Sequence, residues 1–156
     1  MKVRSKGKVK QQQRVLLVAL YLLKRLEGAA NPPKRRVLRF IQSNHLVHIR
    51  PEDEEMREAG EPIWAHDLSW QRNALKNNGS IRMPEIGIWQ ITEHGERDVE
   101  QWAKRVKEHV ESKPKWVNDF KLHSSPEAEF DDEFHYEYYI TEETVRWGVK
   151  IATTGI

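Results

Sequence analysis

The stretch Trp70-Gln71-Arg72-Asn73-Ala74-Leu75-Lys76-Asn77-Asn78-Gly79, with Gly87-Ile88-Trp89-Gln90-Ile91-Thr92-Glu93-His94-Gly95 shortly after it, decides how this chain folds. Ala65, Leu68, Leu75 and the stem of Arg72 recur on one side of a helix predicted over residues 65–78, and Gly79 holds the capping position beyond it. Residues 81–83 and 86–91 read as two short strands around Pro84-Glu85, a two-stranded wing. Thr92 then caps a closing helix to about residue 112, with Glu93, Glu96 and Asp98 near its positive end and Val99, Trp102, Ala103, Val106 and Val110 at helical spacing. A helix followed by such a ribbon suits a DNA groove. The expected fold class is α+β: a mainly helical winged helix-turn-helix with a two-stranded wing and a C-terminal β-hairpin extension.

Upstream, residues 11–26 are apolar nearly all round, which predicts a central, buried helix. Gly28-Ala29-Ala30-Asn31-Pro32-Pro33 ends it. A short second helix over residues 33–44 buries Val37, Leu38, Phe40 and Ile41 and leaves Lys34, Arg35, Arg36 and Arg39 mainly outside. Residues 45–49 read as a brief extended piece and residues 50–62 as an acidic loop with a turn of helix. Downstream of Pro114, Phe134, Tyr136, Tyr138 and Ile140 alternate with polar neighbours, as do Val145, Trp147, Val149 and Ile151. This alternation predicts a β-hairpin over residues 133–151, which must dock on the body, pair with a partner or dimerise, because a lone hairpin is marginal in water. The expected organisation is a basic arm (1–10), a winged-helix domain (11–112) and an acidic aromatic extension (113–156).

A chain of 156 residues with 38% apolar content buries one core with a small appendage. The net charge of +2 conceals an asymmetry: residues 1–110 carry 21 Lys and Arg against 14 Asp and Glu, whereas residues 111–156 carry 5 against 10. A basic body with an acidic tail suits a polyanionic partner. The absence of cysteine removes disulfides, thiolate nucleophiles and cysteine-based zinc sites, and a cytoplasmic location is expected. Lys2, Arg4, Lys6, Lys8, Lys10 and Arg14 before the apolar residues 15–23 imitate a secretory signal. Lys24, Arg25 and Glu27 follow at once, which favours a buried helix with a basic arm. The apolar run is far short of the roughly 20 residues that cross a bilayer, so no membrane partner is expected.

No catalytic set stands out, and the expectation is that the chain is not an enzyme. Ser124 and Ser125 follow His123 without a nucleophile-elbow frame, and no glycine-rich phosphate cradle is present. His123, Asp131, Asp132 and His135 offer metal-ligand types at no recognised ligand spacing, so neither metal nor cofactor is expected.

The residues that point to chemistry lie on the central helix. On a helical wheel His66, Trp70, Asn73 and Asn77 fall opposite Leu68 and Leu75, flanked by Ser69 and Lys76. Asn is shaped to bond adenine bidentately in the major groove, and Ser and His can reach base edges or phosphate. Arg72 and the wing residue Arg82 join this candidate DNA-binding set, with Lys34, Arg35 and Arg36 as phosphate neutralisers. Trp70 is either core or an open stacking surface, and with Trp64 it is a candidate wall of a pocket for a flipped, methylated base. Trp89 and Trp102 follow the apolar patterns of their elements and read as core. The segment 127–143 holds eight carboxylates and no Lys or Arg. It is a solvated edge, a cover for the basic face, or a strand for a partner.

The spacings W-x(4)-L-x(3)-G and G-x-W-x-I-T-x-x-G, with Gly60-Glu61-Pro62-Ile63-Trp64 upstream, resemble the N-terminal winged-helix domain of Mrr-type modification-dependent restriction proteins over residues 12–106. The resemblance implies double-stranded DNA binding in a restriction or phage-defence setting, where related winged helices read methylated bases. The matching positions, Trp70, Leu75, Gly79, Gly87, Trp89, Ile91, Thr92 and Gly95, are mostly fold-defining. Proteins of that type carry a nuclease domain after the winged helix. Here residues 107–156 follow, and Glu127-Ala128-Glu129 lacks the neighbouring Lys of a metal-dependent nuclease core, which implies a reader without its own cutter. Two other readings stand beside it: a dimeric winged-helix transcription regulator joined through the closing helix and the hairpin, and a protein-interaction adaptor.

Overall fold

The helices follow the apolar stripes of the sequence, and the computed structural model describes them over residues 6–56, 60–112 and 140–156. They run in the order α1 (Lys6–Glu27), α2 (Lys34–Ser43), α3 (Ile63–Trp70), α4 (Arg72–Asn77), α5 (Glu93–Ser112) and α6 (Glu142–Thr154). A 3-10 turn (Pro51–Glu54) precedes α3, and a ribbon of β1 (Ile81–Arg82) and β2 (Gln90–Ile91) separates α4 from α5. The architecture is mainly helical with one small antiparallel sheet, an α+β arrangement.

Because α1 is apolar on every side along residues 15–23, it is buried throughout that length and touches α2, α3, α4, α5 and β2. It starts at Lys6, so residues 6–10 of the expected basic arm are helical. None of the described helices is long and apolar enough to cross a membrane.

One polar cluster stitches α1 to α5. Glu96 accepts from Lys24 Nζ at 2.8 Å and from Arg25 Nη2 at 3.0 Å, and the Tyr21 hydroxyl donates to Glu100 Oε2 at 3.0 Å. Burial pushes the Glu96 carboxyl up, but hydrogen bonds from Lys24 and Arg25 and their charges outweigh it and hold the group below its ordinary value. Burial, then the bond to Glu100, pushes the Tyr21 phenol up to about 12. A raised phenol keeps its proton in the folded state while the unfolded chain loses it. Stability is therefore complete below the ordinary tyrosine value of 10.0 and declines by about 2 kcal/mol as pH climbs toward 12. Glu96 acts on the opposite limb: its contribution is present above the ordinary carboxylate range and is lost as pH falls through the lowered folded value. Denaturant titrations from pH 3 to 12 should show both losses, and Tyr21→Phe should flatten the alkaline one. An unchanged alkaline loss in that variant would refute the assignment.

Three sequence expectations change. First, the hairpin predicted over residues 133–151 is not formed in its second half: residues 142–154 are helix α6, and residues 133–139 lie outside the described part of the chain. The alternation of Val145, Trp147, Val149 and Ile151 misled because the buried side is Thr144, Val145, Gly148 and Ile151, a helical spacing that includes a residue with no side chain. Thr141 is the N-cap, its hydroxyl accepting from Thr144 N, with Glu142 and Glu143 at the positive helix end. The Thr141 hydroxyl donates to His45 O, Thr144 Oγ1 donates to Leu46 O at 2.7 Å, and Ile140 bridges Val47. These contacts dock α6 beside the extended piece predicted at residues 45–49. From there α6 lies along α5, and a Cβ on Gly148 would stand 2.9 Å from Trp102 Cη2.

Second, the helix expected over residues 65–78 is two, α3 and α4, meeting at Gln71. Gln71 falls on the inward side, and burial obliges its amide to find partners. It accepts from Gln13 Nε2 at 3.1 Å and donates to Gln12 Oε1 at 3.3 Å, both on α1, while its own N–H bonds Leu68 O in a tighter turn.

Third, the wing strands are shorter than residues 81–83 and 86–91. Pro84 cannot donate, and Gly87 turns the chain with φ of 81°. Residues 87–89 then bond to the α1–α2 connection rather than to β1: Lys34 N donates to Gly87 O and Trp89 N to Pro32 O, each at 3.0 Å.

Candidate functional site

Helices α3 and α4 keep a single apolar side despite the break. Trp64, Ala65, Leu68 and Leu75 are buried there. The opposite flank carries Trp70, 65% exposed, with Asn73, Lys76 and Asn77 also exposed and His66 partly so. The rings of Trp70 and His66 stack with centroids 6.1 Å apart and planes inclined by 30°. His66 Nδ1 lies 3.6 Å from Glu61 Oε2. Ser69 is half-buried and its hydroxyl donates back to Ala65 O at 2.7 Å, so its proton is held by the helix itself. Arg72 is half-buried, as expected of a stem on the apolar side.

Beyond α4, Gly79 takes φ of 82° and lets Ser80 N bond Leu75 O at 2.9 Å, a Schellman closure. Ser80 O then accepts from Thr92 N at 3.0 Å, and Thr92 Oγ1 accepts from Gly95 N at 3.1 Å, which caps α5 as the sequence predicted. In the ribbon, Ile81 pairs with Ile91 and Arg82 with Gln90. The inward residues Ile81 and Ile91 are buried, Arg82 is exposed, and Ile86 is fully exposed at the turn. Gln90 Nε2 donates to Asn31 Oδ1 at 2.8 Å, so the α1–α2 connection follows the outer edge of β2.

The α2 cations behave unequally. Lys34 Nζ meets Glu61 Oε1 at 2.8 Å and Arg36 Nη2 meets Glu27 Oε1 at 2.8 Å. Arg35 and Arg39, one helical turn apart and exposed, make no ion pair among the described residues. From the sequence Arg39 was expected on the outer face of the second helix but not in the site, although its spacing from Arg35 is itself a signal.

Trp64 and Trp70, joined in the sequence reading as walls of one pocket, part company. Trp64 is only 8% exposed and lines a cleft of about 540 Å³ between α2 and the start of α3, whose walls do not include Trp70. A second hollow of about 460 Å³ lies on the other side of α2, and Arg35 and Arg39 border both. Trp89 and Trp102 are fully buried, as expected. The acidic residues 127–139 lie outside the described part of the chain, and among the described residues no cluster of His, Asp or Glu could hold a metal ion. No protein-family model, curated protein or solved structure matches this chain.

Proposed function

We propose that the chain is a winged-helix module that binds double-stranded DNA, reading base modification in a restriction or phage-defence setting without a nuclease of its own. The observation that carries this reading is the flank of Trp70, Asn73, Lys76 and Asn77, exposed along α3–α4 beside the ribbon while the other side of the same helices is buried. The path of the chain supports it. A buried helix, a short connection bridging Ile88 just ahead of β2, a basic helix, a polar-flanked helix pair and a ribbon follow one another in the order of a winged helix. Asn73 and Asn77 are suited to adenine, the Trp70–His66 stack offers an apolar face to a base methyl group, and Arg35, Arg39, Lys76 and Arg82, which make no ion pair among the described residues, can neutralise phosphates. The regulator reading needs an open face on α5 for a partner copy. That face is filled, because Val99, Trp102, Ala103 and Val106 are buried and α6 packs along the helix.

Fluorescence anisotropy with matched methylated and unmethylated duplexes tests the proposal across a salt series. Affinity should fall steeply with salt, and Lys76→Ala should reduce the salt slope by about one. Asn73→Ala should lose about 1–2 kcal/mol and relax base preference. A preference for methylated duplex above about tenfold, or 1.4 kcal/mol, is the mark of a modification reader. Absent or salt-independent binding would sink the duplex reading, and equal affinity for both duplexes would sink the modification reading.

A further inference from the structure

We propose that the cleft between α2 and the start of α3 binds a nucleoside monophosphate, its phosphate on Arg35 and Arg39 and its base against Leu38 and Pro62 beside Glu61 and Gln42. The cleft shares Lys34, Arg35, Arg39 and Trp64 with the residues weighed for duplex binding, and its ligand is a small molecule rather than a groove.

Size is the first argument. About 540 Å³ is far more than a bare phosphate occupies and lies within the range of about 300–1,000 Å³ typical of small-ligand sites. Charge is the second. Three cations and one carboxylate line the space, and Lys34 and Glu61 neutralise each other at 2.8 Å. What remains is Arg35 and Arg39, like charges one helical turn apart on α2, a placement that disfavours the helix unless an anion lies over them. Two guanidinium groups match a phosphate monoester, of charge about −1.5 to −2 at neutral pH, better than the single charge of a diester. The walls are the third. Leu38, Pro62, Ala65 and an edge of Trp64 form an apolar floor for a flat ring, while Glu61 can accept from an exocyclic amine and the Gln42 amide can both donate and accept. A free inorganic anion would leave that floor uncovered.

Isothermal titration of the full chain with the four 5′-mononucleotides, the matching nucleosides and inorganic phosphate is the test. One-to-one binding with Kd below about 1 mM is expected for at least one mononucleotide, with its nucleoside and inorganic phosphate each at least about tenfold weaker. Arg35→Ala and Arg39→Ala, both at exposed positions, should each weaken binding about tenfold without lowering the melting temperature. Amide chemical-shift changes should centre on residues 34–42 and 60–65. A duplex carrying a single-nucleotide bulge separates the two sources of this chemistry: the free mononucleotide should displace it, and binding confined to the bulge would overturn the proposal. So would equal affinity for phosphate and mononucleotide, no saturable binding up to about 5 mM, or an Arg35→Ala/Arg39→Ala double variant that binds unchanged. Asn73→Ala lies outside the cleft and should leave nucleotide binding intact, so failure of the duplex reading and failure of this one are read separately.

Discussion

Replacing Trp102 by Ala is expected to lower unfolding free energy by about 3–5 kcal/mol. The indole is fully buried, lies beneath Gly148 of α6, and receives the Arg14 guanidinium over its face at 5.4 Å from the ring centre. Removing it leaves a cavity at the α5–α6 contact, and a backbone held by its caps and its bonds to residues 45–46 cannot collapse into that space. Since small domains hold only about 5–15 kcal/mol in total, the variant should unfold at much lower denaturant. Guanidinium unfolding followed by far-ultraviolet circular dichroism measures it, and a loss under about 1 kcal/mol would contradict the packing described for α6.

Gly95→Ala should have the next largest effect, about 3 kcal/mol, at a position the sequence reading assigned to architecture. A Cβ there would collide with the backbone carbonyl oxygen of Ser80 and stand 2.8 Å from Ile91 Cγ1. The Ser80 carbonyl cannot retreat without breaking its 3.0 Å bond from Thr92 N, the link that holds the end of α4 to the start of α5. The substitution therefore strains the base of the ribbon more than the α1–α5 core. On the proposed duplex reading it should weaken DNA affinity even at temperatures where the helices persist. Thermal melting together with anisotropy would show this, and an unchanged melting temperature would refute the close approach.

The parts legible in the sequence are those whose signals are local. The apolar stripes of α1, α2 and α5, the Gly79 closure and the Thr92 cap each declare themselves within a few residues, and the structure forms them within a few positions of where the pattern puts them. The exposed flank of α3–α4 was readable for the same reason. What escaped depends on distant partners. The break at Gln71 is set by amides on α1, 58 and 59 residues away in the chain. Helix α6 hid behind a glycine that belongs to the buried side because a tryptophan from another helix needs its space. The cleft was invisible because its two walls come from segments that only folding brings together, leaving Arg39 and Gln42 as ordinary surface residues in the linear pattern.

Lys34 has a place in the fold with mechanical meaning. Its amide is fastened to the ribbon turn at Gly87 and its ammonium to Glu61 at the threshold of α3. Ribbon, α2 and the start of α3 thus share a common brace. These two contacts tie their orientations together during folding, so on the proposed duplex reading part of the configurational entropy lost on binding is absorbed beforehand.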